Sequence, residues 1–121
     1  MTARSVVLVW TRDSGARETV PLVLSRIKAT FVCCESLDDV VTGISSSPRP
    51  TTLVLGPSFS RAEATTLRLA IHEECGIVLR IVLLVDLSLP QPPAMDDATA
   101  TQPVRLPLPV RPRHLAEAVQ S

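Results

Sequence analysis

Five short runs of aliphatic and β-branched residues recur along this chain, and most are followed by a segment whose apolar residues have helical spacing. The runs occupy residues 5–10, 30–34, 51–55, 77–85 and 104–110. Strands that are apolar on both faces are typical of a parallel sheet, whose strands are joined by crossover helices. The pattern therefore predicts an α/β domain with five parallel strands and helices on both faces of the sheet.

Four segments have the spacing and the capping residues of helices. The first carries an apolar stripe over residues 20–27, and Pro21 is expected in its first turn because a proline further inside would remove a backbone hydrogen bond. The second and third follow capping boxes that begin at Ser36 and Ser60, each with an acidic residue three positions later. The last helix is expected to begin at Pro112.

The last third of the chain has an unusual proline content, because seven of the eleven prolines lie at or beyond Pro90. The segment 86–103 is expected to be irregular where a fourth crossover helix would otherwise lie. The run 104–110 contains Pro107 and Pro109, which cannot donate a hydrogen bond to a neighbouring strand. This run is therefore predicted to be an edge strand.

Charge and length exclude several classes of partner. Lys and Arg total 12, as do Asp and Glu, so the net charge is zero and offers no electrostatic footprint for a nucleic acid or an anionic membrane. The longest apolar run, 77–85, is interrupted by Arg80 and is too short to span a bilayer. At 121 residues the chain is predicted to form a single domain over residues 1–121.

The three cysteines, Cys33, Cys34 and Cys75, do not have the spacing of a disulfide framework. We interpret them as small buried residues of a protein from a reducing compartment, which predicts a cytoplasmic location. A redox or metal role is the alternative. His72 and Cys75 have helical spacing for a metal, but no second ligand pair accompanies them, so no metal site is expected.

Two stretches of the chain resemble the receiver domain of bacterial response regulators. One is ESLDDVV at 35–41, followed by Arg49-Pro50 and TTLVL; the other is LPLPVRP at 106–112, which is similar to that family's lysine–proline turn into its last helix. The resemblance covers about residues 5–119. It implies the flavodoxin-like, CheY-like fold, with the fourth helix shortened or replaced by a Pro-rich loop.

The resemblance also implies where a phosphoryl-transfer site would lie. In receivers, two acidic residues after the first strand hold Mg²⁺, an aspartate at the end of the third strand accepts the phosphoryl group, a hydroxyl ends the fourth strand and a lysine precedes the proline of the fifth. The matching positions here carry Trp10, Thr11, Gly56, Val85 and Leu108. The resemblance therefore predicts a degenerate receiver, or pseudo-receiver, with no catalytic residue, no cofactor and no Mg²⁺-dependent phosphorylation.

A receiver without this chemistry is expected to act through binding. We predict a non-enzymatic protein-interaction module of bacterial signal transduction, whose partner is another domain of a longer regulator, a separate protein or a second copy in a homodimer. The candidate partner-binding residues lie near the C-terminus: Arg105, Pro107, Arg111, Arg113 and His114. A solvated face is the default interpretation of the basic residues of this cluster, and a docking surface for an acidic partner is the alternative.

A second class of function stays open, namely a small flavodoxin-like ligand-binding domain or enzyme. Such a protein would use the loops that follow the strands, because ligands of open α/β sheets bind at the carboxyl ends of strands. The loops concerned are residues 11–17, 56–60 and 86–95.

Four polar residues of these loops have two interpretations each. Asp13 and Asp86 form either a carboxylate pair for a divalent ion or a helix cap and a strand-ending turn. Ser58 and Ser60 are either hydroxyl nucleophiles or loop residues, and capping is the role that suits Ser60 because a helix follows it.

Overall fold

The strands and helices alternate along the chain as the sequence predicts. The computed structural model describes residues 6–45, 50–57, 59–73, 80–88 and 103–120. Within these ranges the elements are β1 Val6–Thr11, α1 Ser14–Arg26, β2 Thr30–Cys33, α2 Leu37–Ser45, β3 Pro50–Gly56, α3 Arg61–Glu73, β4 Arg80–Val85, β5 Val104–Pro107 and α4 Pro112–Gln120.

All the strand pairs of the sheet are parallel, and the strand order is β2-β1-β3-β4-β5. This arrangement is the flavodoxin-like, CheY-like topology, so the predicted fold class is confirmed. Because every strand runs in the same direction, the carboxyl ends of β1, β3 and β4 meet at one edge of the sheet. That edge is where ligands of such sheets bind.

Two apolar layers hold the helices against the sheet. Alternate residues of each strand point to opposite faces, so the runs that are apolar throughout supply both layers. One layer joins Val6, Leu8 and Trp10 of β1 to α2 and α3; the other joins Val7 and Val9 to α1 and α4. The central strands β3 and β4 have fully buried residues in both layers, including Leu53, Val54, Ile81 and Val82.

The position of Pro21 differs from the prediction. Helix α1 begins at Ser14, because the side chain of Asp13 caps it by accepting a hydrogen bond of 2.9 Å from the backbone N–H of Ala16. Pro21 therefore lies in the helix interior, and the carbonyl of Arg17 loses its usual partner four residues on. Arg17 is exposed, so water can bond to that carbonyl.

The predicted capping boxes stand at the beginnings of α2 and α3. Ser60 and Glu63 bond reciprocally, with distances of 2.8 Å from the Ser60 N–H to Oε1 of Glu63 and 3.1 Å from the Glu63 N–H to Oγ of Ser60. At α2 the N–H of Asp39 donates to Oγ of Ser36, but the Asp39 carboxylate accepts from the N–H of Glu35 instead of Ser36. In the box at α2 the hydrogen bond to the carboxylate therefore comes from Glu35, one residue before the predicted donor, Ser36.

Strand β5 lies at the edge of the sheet, as its prolines predict, but its pairing ends at Pro107 and not at residue 110. The N–H of Leu108 donates to the carbonyl of Val85 over 2.8 Å. Since successive N–H positions of a strand alternate in direction, the nitrogen of Pro107 is on the outer edge, where no ladder bond is lost. The peptide bond that follows, Leu108–Pro109, is cis.

Arg80 has a role that its sequence position does not reveal. Its guanidinium donates to the carbonyl oxygens of Ala118 at 3.0 Å and Val119 at 3.2 Å, near the end of α4. The last carbonyls of a helix have no partner within the helix and carry partial negative charge, so a cation stabilises them. Arg80 thereby attaches the C-terminal end of α4 to the beginning of β4.

The cysteines differ in burial. Cys34 is buried as predicted, whereas Cys33 is exposed, because β2 is an edge strand and three of its four residues face solvent. The expectation that Cys33 is a buried residue is therefore wrong. Cys75 and most of the Pro-rich segment, residues 89–102, lie outside the described residues, as does the predicted shortening or replacement of the fourth helix.

Candidate functional site

The five positions that the receiver resemblance singles out are brought to the carboxyl edge of the sheet. Thr11 and Gly56 end β1 and β3 and are partners in the parallel register. Val85 ends β4 and is joined to Leu108 by the backbone hydrogen bond described above. Trp10 precedes Thr11 and pairs with Leu55. The fold thus places all five positions at the carboxyl ends of four neighbouring strands, β1, β3, β4 and β5.

Gly56 has a backbone conformation that other residues rarely adopt. Its φ angle is +116°, and a Cβ atom built on it would lie 2.6 Å from the carbonyl oxygen of Leu84 on the neighbouring strand. A contact that short with backbone cannot be relieved by a side-chain rotation. The position is therefore closed to any side chain unless the backbone of β3 or β4 moves.

Trp10 occupies the adjacent part of the edge. Its side chain is buried, only 3% exposed, and its ring centroid lies 6.3 Å from that of Phe59 with the ring planes tilted by 42°. Phe59 follows β3 and is itself buried. Tilted aromatic pairs at this separation attract each other, in addition to the apolar area that they bury.

Arg12 covers this aromatic pair from outside. Its guanidinium carbon lies 5.2 Å from the centre of the Trp10 ring, and its Nη2 donates to Oε2 of Glu63 at 2.8 Å. Cation–π and ion-pair contacts of this kind each stabilise modestly when the groups are partly exposed. Arg12 therefore joins the loop after β1 to the first turn of α3.

The charge of Glu63 is stabilised by three hydrogen bonds, one from the backbone N–H of Ser60 and two from the Arg12 guanidinium. Partial burial alone would raise the pKa of Glu63, but hydrogen bonds from the backbone N–H of Ser60 and from Arg12 outweigh it and lower the pKa from its ordinary value. The ionised form is thus preferred in the folded protein. One carboxylate serves both as the reciprocal half of a capping box and as the anchor for Arg12.

The Glu63 contacts predict a pH dependence of stability. A lowered folded-state pKa stabilises the protein above the unfolded-state pKa, and this contribution is lost as the pH falls through the folded-state value. We expect the free energy of unfolding of the wild type to decrease more steeply than that of Glu63→Gln between about pH 6 and about pH 3. Urea titrations at a series of pH values measure both slopes.

Gln is the informative replacement because its amide oxygen can still accept from Ser60 while it carries no charge. Glu117→Gln is the matched control, since the Glu117–Arg113 pair is exposed, at 3.4 Å. The free energy of unfolding of Glu117→Gln should change with pH as steeply as that of the wild type. Parallel curves for the wild type and Glu63→Gln would contradict the prediction.

The other polar candidates of this edge have structural partners. Asp13 caps α1, and its N–H donates to Oγ1 of Thr11 at 3.1 Å. Asp86 accepts from the hydroxyl and the N–H of Ser88 in a turn, and these two bonds lower its pKa. Asp13 thus has the contacts of a helix cap, Asp86 those of a turn, and Ser60 those of a helix cap. Ser58 lies outside the described residues.

The predicted partner-binding residues are all exposed, and they lie on β5, the loop after it and the first turn of α4: Arg105, Pro107, Arg111, Arg113 and His114. Arg113 approaches Glu117 one turn further along α4, at 3.4 Å. Pairs of exposed side chains contribute little to stability, so this contact leaves the arginine available to a partner.

Sequence reasoning missed Arg12 and Phe59. Their contacts join residues far apart in the chain, 51 positions in the case of Arg12 and Glu63. The one available signal was Glu63, which the capping box had already placed at the beginning of α3.

The described residues offer neither a metal-binding cluster nor a membrane-spanning helix. No group of three or more His, Cys, Asp or Glu side chains within those ranges could hold a metal ion. Among the helices described, none combines the length and the apolar character that a membrane crossing requires.

The topology and the position of this edge define a receiver-like, flavodoxin-like α/β domain. Solved structures match it: the chemotaxis protein CheY4 of Vibrio cholerae has a TM-score of 0.72 at 12% sequence identity, over 98% of both chains. The N-terminal domain of a response regulator/sensory box/GGDEF 3-domain protein from Carboxydothermus hydrogenoformans has a TM-score of 0.70 at 15% identity, over 96% of this chain and 91% of that one.

The fold likeness extends to part of an enzyme. Lysine decarboxylase LdcF of Francisella novicida matches with a TM-score of 0.67 and 15% identity, covering 98% of this chain but 17% of that chain. No protein-family model and no curated protein matches the chain. At such low identities the matches establish the fold alone, and they confirm the fold that the resemblance implies.

Proposed function

We propose that this chain is a phosphorylation-independent, receiver-like module that acts by binding another protein in bacterial signal transduction. It is a pseudo-receiver without enzymatic activity or cofactor, and it forms one domain over residues 1–121 in the cytoplasm. One observation carries the proposal: the phosphoacceptor position is Gly56, whose φ of +116° and 2.6 Å approach to the Leu84 carbonyl exclude a side chain.

The surrounding contacts support the same conclusion. Phosphoryl transfer to a receiver needs a carboxylate nucleophile and oxygen ligands for Mg²⁺. The position expected to hold the ion carries the buried Trp10 ring, and the cation beside it, Arg12, is paired with Glu63. The hydroxyl and lysine positions carry Val85 and Leu108, which are half-buried aliphatic residues unable to bind phosphoryl oxygens.

A small-molecule phosphodonor tests the proposal directly. The purified chain is incubated with acetyl phosphate and Mg²⁺ beside a receiver domain that retains its aspartate, and intact masses are compared. The control should gain the mass of one phosphoryl group, and this chain should gain none. The proposal is overturned if this chain gains a phosphoryl group that hydroxylamine then removes, because acyl phosphates are cleaved by that nucleophile.

The face proposed for the partner is the basic edge, which we define as Arg105, Pro107, Arg111, Arg113 and His114. Its exposed guanidinium groups suit an acidic protein surface, since arginine forms paired hydrogen bonds with carboxylates. The outer position of Pro107 disfavours addition of another strand to β5, so side chains rather than backbone would make the contact. The partner is a separate protein, another domain of a longer regulator or a second copy.

Charge reversal tests this face. The wild type and the variants are cross-linked chemically to their partners in the native cell. We expect the triple variant Arg105→Glu, Arg111→Glu, Arg113→Glu to lose the partner that the wild type captures. A matched triple reversal of other exposed cations, Arg26→Glu, Lys28→Glu and Arg61→Glu, should retain it. The proposal for the basic edge is overturned if the first variant keeps every cross-linked partner of the wild type.

A further inference from the structure

A cavity of about 170 Å³ lies at the carboxyl ends of β1 and β2. It belongs to neither the position of Gly56 nor the basic edge. Residues from the end of β1, the beginning of α1, the end of β2 and the loop after it line the cavity: Val9, Thr11, Arg17, Cys33, Cys34 and Glu35.

Two exposed residues of opposite charge, Arg17 and Glu35, line this cavity without pairing with each other. Among the described residues, neither the guanidinium of Arg17 nor the carboxylate of Glu35 has an ion-pair or hydrogen-bond partner, so their charged atoms lie more than 4.0 Å apart. Unpaired opposite charges that line one small space would each attract the complementary group of a ligand. A single ligand that carries both groups would satisfy the two together.

The other residues that line the cavity are neutral, and some of them are polar. Val9, Thr11 and Cys34 are buried, and burial, with smaller contributions from Asp39 and Cys33, raises the pKa of the Cys34 thiol to about 11. This thiol therefore carries no charge at neutral pH. The Thr11 hydroxyl accepts from Asp13, which leaves its own proton available to a ligand oxygen.

We propose that this cavity binds a small zwitterion of amino-acid size, with its carboxylate on Arg17 and its ammonium group on Glu35. A volume of about 170 Å³ suits a ligand of the size of a short amino acid. This site goes beyond the proposed interaction function and does not depend on it. It would place a ligand-binding site beside β2, the edge strand on the opposite side of the sheet from β5.

The test uses glycine, β-alanine and γ-aminobutyrate, whose charges are separated by increasing lengths, with propionate and propylamine as single-charge controls. Thermal unfolding of the full chain is followed over millimolar concentrations of each, since a ligand of the native state raises the melting temperature by mass action. At least one zwitterion should give a saturable rise. The single-charge compounds should give much smaller shifts at the same concentrations.

Variants locate the site. Arg17→Gln and Glu35→Gln should each weaken binding of the zwitterion by about tenfold or more, because each leaves one ligand charge without its partner. Glu18→Gln and Arg26→Gln, exposed residues of α1 that do not line the cavity, should bind as the wild type does. Absence of binding by all three zwitterions, or unchanged affinity in both cavity variants, overturns the proposal.

Discussion

Gly56→Ala is expected to lower the free energy of unfolding by about 3 kcal/mol or more, from the strained φ and the backbone contact together. The new methyl group would lie 2.6 Å from the Leu84 carbonyl oxygen and 3.3 Å from its nitrogen. The neighbouring strand cannot move away without disturbing its pairing with β3 and β5. A typical domain is stable by only 5 to 15 kcal/mol, so about 3 kcal/mol is a large share.

Denaturant unfolding followed by circular dichroism and by the fluorescence of the single tryptophan, Trp10, measures the loss. Gly15→Ala is the matched control, because Gly15 lies in the first turn of α1 without a positive φ and its Cβ would meet only the Asp13 carboxylate, at 3.3 Å. That change should be close to neutral. A Gly56→Ala protein as stable as the wild type would contradict the geometry of the β3 end.

The same geometry predicts that one substitution at Gly56 cannot introduce a phosphoacceptor. Gly56→Asp would carry the same clash at Cβ. On the proposal that this chain is a pseudo-receiver, the backbone at the end of β3 disfavours an acceptor there, as do the side chains around it. The phosphodonor experiment on the wild type and the stability of Gly56→Ala probe these two aspects separately.

Trp10→Ala is expected to cost about 3 to 5 kcal/mol of unfolding free energy, as for other large aromatic residues removed from a core. The indole is 3% exposed, packs against Phe59 and lies beneath the Arg12 guanidinium. Its removal would leave a cavity between β1 and the loop that carries Phe59. It would also weaken the Arg12–Glu63 pair, because the guanidinium would lose the ring that positions it.

Chemical denaturation followed by circular dichroism measures this variant, which lacks the fluorescent residue. Trp10→Phe is the control, since it keeps an aromatic ring and most of the apolar contact. It should cost about 1 to 2 kcal/mol. Equal losses for the alanine and phenylalanine variants would show that ring packing at this edge is not what stabilises it.

Prediction from the sequence succeeded where short-range rules apply. Apolar runs identified the strands of a parallel sheet, and Ser60 with Glu63 formed the predicted capping box. It failed where two local rules compete. Pro21 was placed in the first turn of its helix because proline disfavours helix interiors, but the Asp13 cap starts α1 earlier and the exposed carbonyl of Arg17 tolerates the missing bond.

The sequence alone determined the order of strands and helices along the chain and the two apolar faces of the sheet, because these follow from the spacing of apolar residues. It also determined the edge position of β5, because proline lacks a backbone N–H. Only the tertiary structure decided how the carboxyl edge is closed. The Leu84 carbonyl that excludes a side chain at Gly56, and the Glu63 that holds Arg12 over Trp10, come from distant parts of the chain. Contacts of that kind depend on strand register, which no local pattern encodes.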